Sequence, residues 1–294
     1  MTYILSVIAD PENPVIDQSL LDRLTEAVKG TTARTLAQGI AYDIGLANMP
    51  ETGSFKEASA IAAEAGVDLN LIGVSGRRKK LLIADMDSTI IEQECIDELA
   101  EYAGKRAEIS DITERAMRGE LDFEAALKER VAMLEGLSTD VLEEAFKHRI
   151  TLTPGARRLV QTMNEVGAVT ALVSGGFTFF TSRVAEQTGF QVTQANELLI
   201  EDEKLTGAVG EPILGRAAKE DALVRLAETN NIELHETLAV GDGANDLSML
   251  GRAGLGVAFR AKPAVAKAAH ARISHGDLTA LLYLQGIPQS EFID

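Results

Sequence analysis

Leu81-Leu82-Ile83-Ala84-Asp85-Met86-Asp87-Ser88-Thr89 sets the fold class of this chain. Four apolar residues run directly into two carboxylates one residue apart. A short apolar run that ends in polar residues predicts a buried strand terminating at a site. Open parallel sheets bind their ligands beyond the carboxyl ends of the strands, so Asp85 and Asp87 are expected on the first turn after such a strand, facing a crevice. Two carboxylates that close repel each other unless a cation or a proton lies between them. Mg2+ on an ionised Asp85, with Asp87 exchanging protons, is one arrangement that resolves the repulsion. Ser88 and Thr89 add hydroxyls and N–H groups able to hold a phosphate oxygen. An isolated Asp-x-Asp can equally be a turn or capping pair, so the rest of the chain has to decide.

Three later stretches bear on it. Ala168–Val173 predicts an apolar strand that ends in Ser174-Gly175-Gly176-Phe177 and opens a helix. Glycines there let the backbone approach a bound group, and helix N-terminal N–H groups favour an anion. Lys219 lies near the start of a helix predicted over Gly215–Asn230, a single cation able to reach a phosphate. Leu238–Val240 predicts a strand running into Gly241-Asp242-Gly243-Ala244-Asn245-Asp246. A calcium loop is excluded for this last stretch, because the twelfth position counted from Asp242 is Ala253 and not glutamate.

Strands alternating with helices from residue 80 onward, with short strands at Gly254–Ala258 and Ala271–Ile273, predict a doubly wound parallel sheet covered on both faces. Between its first two strands, Ile90–Tyr102 reads as a helix and residues 105–150 as helices without strands, including one after Leu121-Asp122-Phe123 with Asp122 as N-cap and one from Ser138. A helical insertion at that point lies over the strand ends, where a lid belongs. Leu198–Gly207 reads as a hairpin flap. Residues 1–75 read as a separate small α/β unit: strand Tyr3–Ala9, helix Gln18–Lys29, one or two strands over Thr35–Leu46, helix Lys56–Ala65 and strand Val67–Val74. Arg77-Arg78-Lys79-Lys80 marks the boundary.

Composition narrows the classes. The 294 residues carry 28 basic and 45 acidic side chains, a net charge of −17, which argues against nucleic acid or an anionic membrane as partner. No apolar stretch reaches the ~20 residues that span a bilayer, and the first residues lack a basic-then-apolar leader pattern. The single cysteine, Cys95, forbids an intrachain disulfide and fits a reducing cytoplasm; it reads as a buried small residue. His148, His235, His270 and His275 show no zinc spacing.

Taken in order, the Asp85–Thr89, Ser174–Gly176, Lys219 and Gly241–Asp246 stretches resemble the four motifs of the haloacid-dehalogenase-like (HAD) phosphatases, and the phosphoserine phosphatases among them, over residues 80–285. The resemblance implies a HAD-type core over residues 80–294, a mobile helical cap at about 95–150, and Mg2+-dependent hydrolysis of O-phospho-L-serine, the last step of serine biosynthesis. Asp85 is implied as nucleophile and Asp87 as general acid and base. Asp85, Asp242 and the backbone carbonyl of Asp87 are implied as Mg2+ ligands, backed by Asp246. Ser174, Gly175, Lys219 and Asn245 are implied at the phosphate. Glu94 and Arg130 are implied at the ammonium and carboxylate of the substrate, with Met117 and Phe123 as apolar lid residues. Residues 1–75 resemble an ACT-like regulatory domain, and read as a packing or dimerisation module through which a homodimer would form. The rival classes are another small-molecule HAD phosphatase or phosphotransferase, a receiver-like phospho-acceptor, and an amino-acid binding protein built on residues 1–75.

Overall fold

A computed structural model describes residues 2–31, 33–118 and 120–293, and Met117 in its backbone alone. The N-terminal unit runs β1 (Tyr3–Ile8), α1 (Gln18–Ala27), β2 (Ala33–Ala37), β3 (Ala41–Leu46), α2 (Thr52–Ala65) and β4 (Asp68–Gly73). Its sheet has the order β2-β3-β1-β4, with antiparallel neighbours throughout. This is the split βαβ arrangement of ferredoxin-like units. The stretch over Thr35–Leu46 resolves into two strands. Leu5, Val7, Tyr42 and Ile44 face α1 and α2, while Ile8, Ala41 and Ile72 face the core of the larger unit. Both faces of this sheet are therefore covered within one chain.

The larger unit follows as β5 (Leu81–Ala84), α3 (Cys95–Ala103), α4 (Arg106–Met117), α5 (Phe123–Ala132), α6 (Asp140–Arg149), α7 (Ala156–Glu165), β6 (Val169–Phe177), α8 (Thr178–Thr188) and β7 (Val192–Asn196). A hairpin of β8 (Leu198–Glu201) and β9 (Lys204–Val209) comes next. Then come α9 (Arg216–Thr229), β10 (Thr237–Gly241), α10 (Leu247–Arg252), β11 (Leu255–Phe259), α11 (Pro263–Ala268), β12 (Ala271–Ile273) and α12 (Ala280–Leu284). The six-stranded sheet has the order β12-β11-β10-β5-β6-β7, parallel throughout. Alternation along β5 sends Leu82 and Ala84 into the core on one face and Leu81 and Ile83 into the core on the other, as a strand covered on both faces requires. All four are fully buried, and each large aliphatic side chain among them contributes about 1.5–3 kcal/mol.

β5 lies between β6 and β10, so the chain winds outward on one side and returns on the other. The strand order reverses between β5 and β10. That switch point opens a crevice at the carboxyl ends of the strands, and helices α3–α6 occupy the insertion beside it.

Two expected elements differ. The helix expected over Ile90–Tyr102 begins only at Cys95. Asp87 is extended and Ser88 is left-handed (φ 53°, ψ 10°), which breaks any helix through the motif. Ile91 instead makes a β-bridge to Leu152. The second is Ser174-Gly175-Gly176, which does not open a helix: β6 continues to Phe177 beside Asn196, and α8 starts at Thr178.

Candidate active site

The end of β5 delivers Asp85, whose N–H donates to the Val240 carbonyl on β10 (3.0 Å) and so locks the motif to the neighbouring strand. One Asp85 oxygen accepts from the Met86 N–H (2.7 Å); the other faces the Lys219 ammonium at 2.7 Å and the Asn245 amide at 3.4 Å. Asp87 turns back beneath the helical insertion. Its Oδ1 accepts the N–H of Cys95 (2.8 Å), the first residue of α3, and its Oδ2 lies 3.4 Å from the Ser174 hydroxyl. Asp87 is thus a helix cap and a cavity carboxylate at once. Gly176 has to be glycine for the same reason: a Cβ there would stand 2.6 Å from Asp87 Oδ2.

Lys219 is fully buried and does not line the cavity. Its Nζ lies between Asp85 Oδ2 and Asp246 Oδ1, 2.7 Å from each. Burial opposes its charge, but Asp246 and Asp85 more than compensate and hold its pKa above the usual lysine range. Asp246 has little left to offer: Oδ1 takes Lys219, and Oδ2 accepts from the N–H groups of Asp242 (3.2 Å) and Gly243 (3.1 Å). Asp242 is buried, with the Thr89 hydroxyl 3.5 Å from its Oδ1. Burial, with Asp246 and Asp85 adding to it, pushes the Asp242 carboxyl well above the usual range. Burial likewise raises Asp87 to about 6 and Asp246 to about 7.

Carboxylate oxygens of Asp85, Asp242 and Asp246 lie within 4.8 Å of one another. A set of hard oxygen donors with so much buried negative charge suits a small divalent cation. The Asn245 Oδ1 atom supports the same fit, being buried with no hydrogen-bond partner among the described residues. A bound cation would reverse the upward pKa shifts.

Above this floor a cavity is lined by Asp85, Asp87, Glu94, Arg130, Ser174 and Asn245 among others. Glu94 accepts from the Ser88 hydroxyl at 2.6 Å, which ties it to the strained turn of the motif. Burial, with Asp87 and Asp242 nearby, raises its pKa well above the usual range. Arg130 reaches in from α5 and is 5% exposed. Among the described residues no carboxylate pairs with it. Phe123, at the start of α5, lies against Gly175, where a Cβ would stand 2.6 Å from the ring. Met117 ends α4, and its side chain lies outside the described residues.

Of the residues expected from sequence, Asp85, Asp87, Glu94, Phe123, Arg130, Ser174, Gly175 and Asn245 meet at one cavity, with Lys219, Asp242 and Asp246 beneath Asp85. Sequence reasoning missed Thr113 and Asn196. Asn196 Nδ2 donates to the Gly175 carbonyl (2.8 Å) and its Oδ1 accepts from Leu214 N–H (2.7 Å), so it ties the end of β6 to the segment that leads into α9. No spacing could have found it, since both partners are distant in sequence. Cys95 is buried and unpaired, as expected. No helix among the described residues is long and apolar enough to cross a membrane.

A family model described as haloacid dehalogenase-like hydrolase matches residues 82–251. The chain is 40% identical to a phosphoserine phosphatase of Streptomyces coelicolor over 295 residues, covering 98% of this chain and 71% of that one. It superposes with a TM-score of 0.67 on a solved structure described as a phospho-aspartyl intermediate analogue of phosphoserine phosphatase. That structure is 42% identical, and the match covers 70% of this chain and 98% of the other. A crystal structure of a HAD family hydrolase from Salmonella enterica serovar Typhi matches at TM-score 0.85 and 31% identity, over 96% of this chain and 98% of that one. The chain belongs to the haloacid dehalogenase-like hydrolases, and within them to the phosphoserine phosphatases.

Proposed function

We propose that this enzyme hydrolyses O-phospho-L-serine to L-serine and phosphate through an aspartyl-phosphate on Asp85, as the last step of serine biosynthesis, with Mg2+ as its cation. One observation carries the reading: the Asp85 and Asp87 carboxylates open into the same cavity as a further acidic side chain, Glu94, and one basic one, Arg130. Such a cavity matches a zwitterion bearing a phosphate. Arg130 takes the substrate carboxylate and Glu94 its ammonium. Asp85 attacks phosphorus and forms the acyl-phosphate, dividing one hard hydrolysis into two steps. Lys219, 2.7 Å from Asp85 Oδ2, holds the nucleophile in its orientation. Asp87, raised to about 6 by burial, gives its proton to the leaving serine oxygen and then takes one from the attacking water. The Ser174 hydroxyl and the backbone of Gly175 hold phosphoryl oxygens, and Asn245 holds a further one.

Asp85, Asp242 and the Asp87 carbonyl would hold Mg2+, with Asp246 fixing Lys219 behind them. A bound divalent cation there offsets the charge of the carboxylates and polarises the phosphoryl group. Helices α3–α6 act as the cap over the site, with Met117 and Phe123 as its apolar lid, and exclude water while substrate is bound. The βαββαβ order of residues 3–73 supports the ACT-like reading of that unit, and its contacts with the core support a packing role. The assembly that goes with this reading is a homodimer through the N-terminal unit. One buried thiol accords with work in the cytoplasm.

The test is phosphate release from O-phospho-L-serine with Mg2+, beside phosphothreonine, phosphotyrosine and sugar phosphates. Asp85→Asn is expected to lower kcat by at least about a thousandfold. Release from sugar phosphates alone would reject the Glu94 and Arg130 assignment, and undiminished release by Asp85→Asn would reject the nucleophile.

A further inference from the structure

Arg130 is a buried cation held in place without an ion pair among the described residues. Its Nε donates to the Ala126 carbonyl one turn back in α5 (3.0 Å), and its Nη1 donates to the Thr113 hydroxyl on α4 (2.9 Å). Thr113 is itself buried, and its Oγ1 lies 2.8 Å from Asp97 Oδ1 on α3 and 2.9 Å from its own-helix Ile109 carbonyl. A hydroxyl has one proton, and the ionised oxygen is the stronger acceptor. The second Asp97 oxygen accepts from Ser110 (2.8 Å). A relay therefore runs from Asp97 through Thr113 to Arg130 and joins three helices of the insertion.

We propose that Thr113 and Asp97 are the positioning residues that set specificity for the carboxylate end of the substrate, by orienting Arg130 without neutralising it. The proposal rests on the reading of Arg130 as the carboxylate-binding group. With Nε occupied, the edge of the guanidinium left for a planar bidentate contact is the Nη1/Nη2 pair, and the relay fixes one end of that pair. A flexible arginine would lose rotamer entropy on being ordered by substrate; one ordered beforehand does not. The hydroxyl between Asp97 and Arg130 matters as much as the charge behind it. A carboxylate directly on Arg130 would fill the fork that the substrate has to take.

The experiment compares KM for O-phospho-L-serine with the competitive Ki of O-phosphoethanolamine, which carries the same phosphate and ammonium but no carboxylate. Thr113→Val keeps the shape and removes the relay. It is expected to raise KM for phosphoserine on the order of tenfold, the equivalent of one charge-assisted hydrogen bond, with kcat within about twofold. The Ki of phosphoethanolamine should stay unchanged, and Thr113→Ser should restore KM. Asp97→Asn is expected to move KM in the same direction by less. Because both constants are ratios, a smaller folded fraction does not disturb them. Equal rises in KM and Ki for Thr113→Val, or no rise in either, would overturn the proposal. Arg130→Met separates it from the reading beneath it. If that variant leaves the ratio of the two constants at its wild-type value, the carboxylate assignment itself fails. If it collapses the ratio while Thr113→Val does not, only the positioning role fails.

Discussion

Four buried aspartates, Asp85, Asp87, Asp242 and Asp246, share one buried lysine, Lys219. Fully ionised, they leave an excess of three negative charges in a water-poor site, and that excess makes testable demands. Without a divalent cation, the folded state holds protons that the unfolded chain releases. Asp87 is raised to about 6 and Asp246 to about 7, from an ordinary 3.8. The native state then binds more protons than the unfolded state between roughly pH 4 and 7, so stability falls as pH rises through that window. Calorimetry of the chelated protein should show Tm decreasing from pH 5 to 8, and an increase would refute this account of the site. Mg2+ at about a hundred times its Kd should restore about 2.7 kcal/mol. Asp242→Asn, which removes one repelling charge, should raise the Tm of the chelated protein and abolish the rise produced by Mg2+. These residues were legible in the sequence because each follows a strand at a fixed place. The complete burial of Lys219 between Asp85 and Asp246 was not, because it depends on how deep α9 lies.

At the scale of elements, the hairpin and the helical insertion are one mechanical piece. Gly136 N–H donates to the Leu205 carbonyl (2.8 Å), Leu205 N–H to the Leu137 carbonyl (2.8 Å) and Thr139 N–H to the Glu203 carbonyl (3.0 Å). A cap that opens must carry β8–β9 with it or break these bonds. Gly207 sits at the seam with φ +76°, and a Cβ there would stand 2.9 Å from Glu135 Cβ and 3.4 Å from the Ala132 Cα. Gly207→Ala should therefore cost left-handed strain of about 1–2 kcal/mol plus the displacement of α5. Gly66→Ala, at φ +68° with open space around it, supplies the strain alone. Thermal unfolding should rank Gly207→Ala below Gly66→Ala, and only Gly207→Ala should change kcat for phosphoserine; identical effects would mean that the seam transmits nothing. Periodicity made the hairpin and most helices legible. It could not show that the hairpin serves the cap, since nothing in either segment records a tertiary partner. It also misplaced the start of α3, because Ser88 takes a backbone conformation that apolar spacing does not report.

For the whole molecule, the question is whether residues 1–75 are an attachment or a wall of the enzyme. The basic run at Arg77 reads in sequence as a boundary, yet its first residue is a clamp. Arg77 makes a bidentate pair with Asp43 on β3 (2.6 and 2.8 Å) and donates to the Leu284 (2.7 Å) and Tyr283 (2.9 Å) carbonyls at the end of α12. A few residues earlier, Asp68 on β4 accepts the N–H groups of Ser274, His275 and Gly276 just after β12 (2.8–3.0 Å). Asn70 exchanges two bonds with the Arg272 backbone (2.9 and 2.8 Å). These contacts are buried, and the second face of the N-terminal sheet joins the main core. A unit attached this way should unfold together with the rest. Asp43→Ala leaves the Arg77 guanidinium unpaired in a mostly buried place. A loss of about 3–5 kcal/mol is expected, as a lower Tm in a single calorimetric transition, with kcat at 25 °C close to wild type because Asp43 is remote from the cavity lining. Residues 80–294 expressed alone should be less stable than the full chain and expose the apolar surface around Ile287 and α12 to a hydrophobic dye. Two resolved transitions in the full chain, with phosphatase activity surviving the first, would instead make the N-terminal unit a separately folding domain and its contacts incidental to the enzyme.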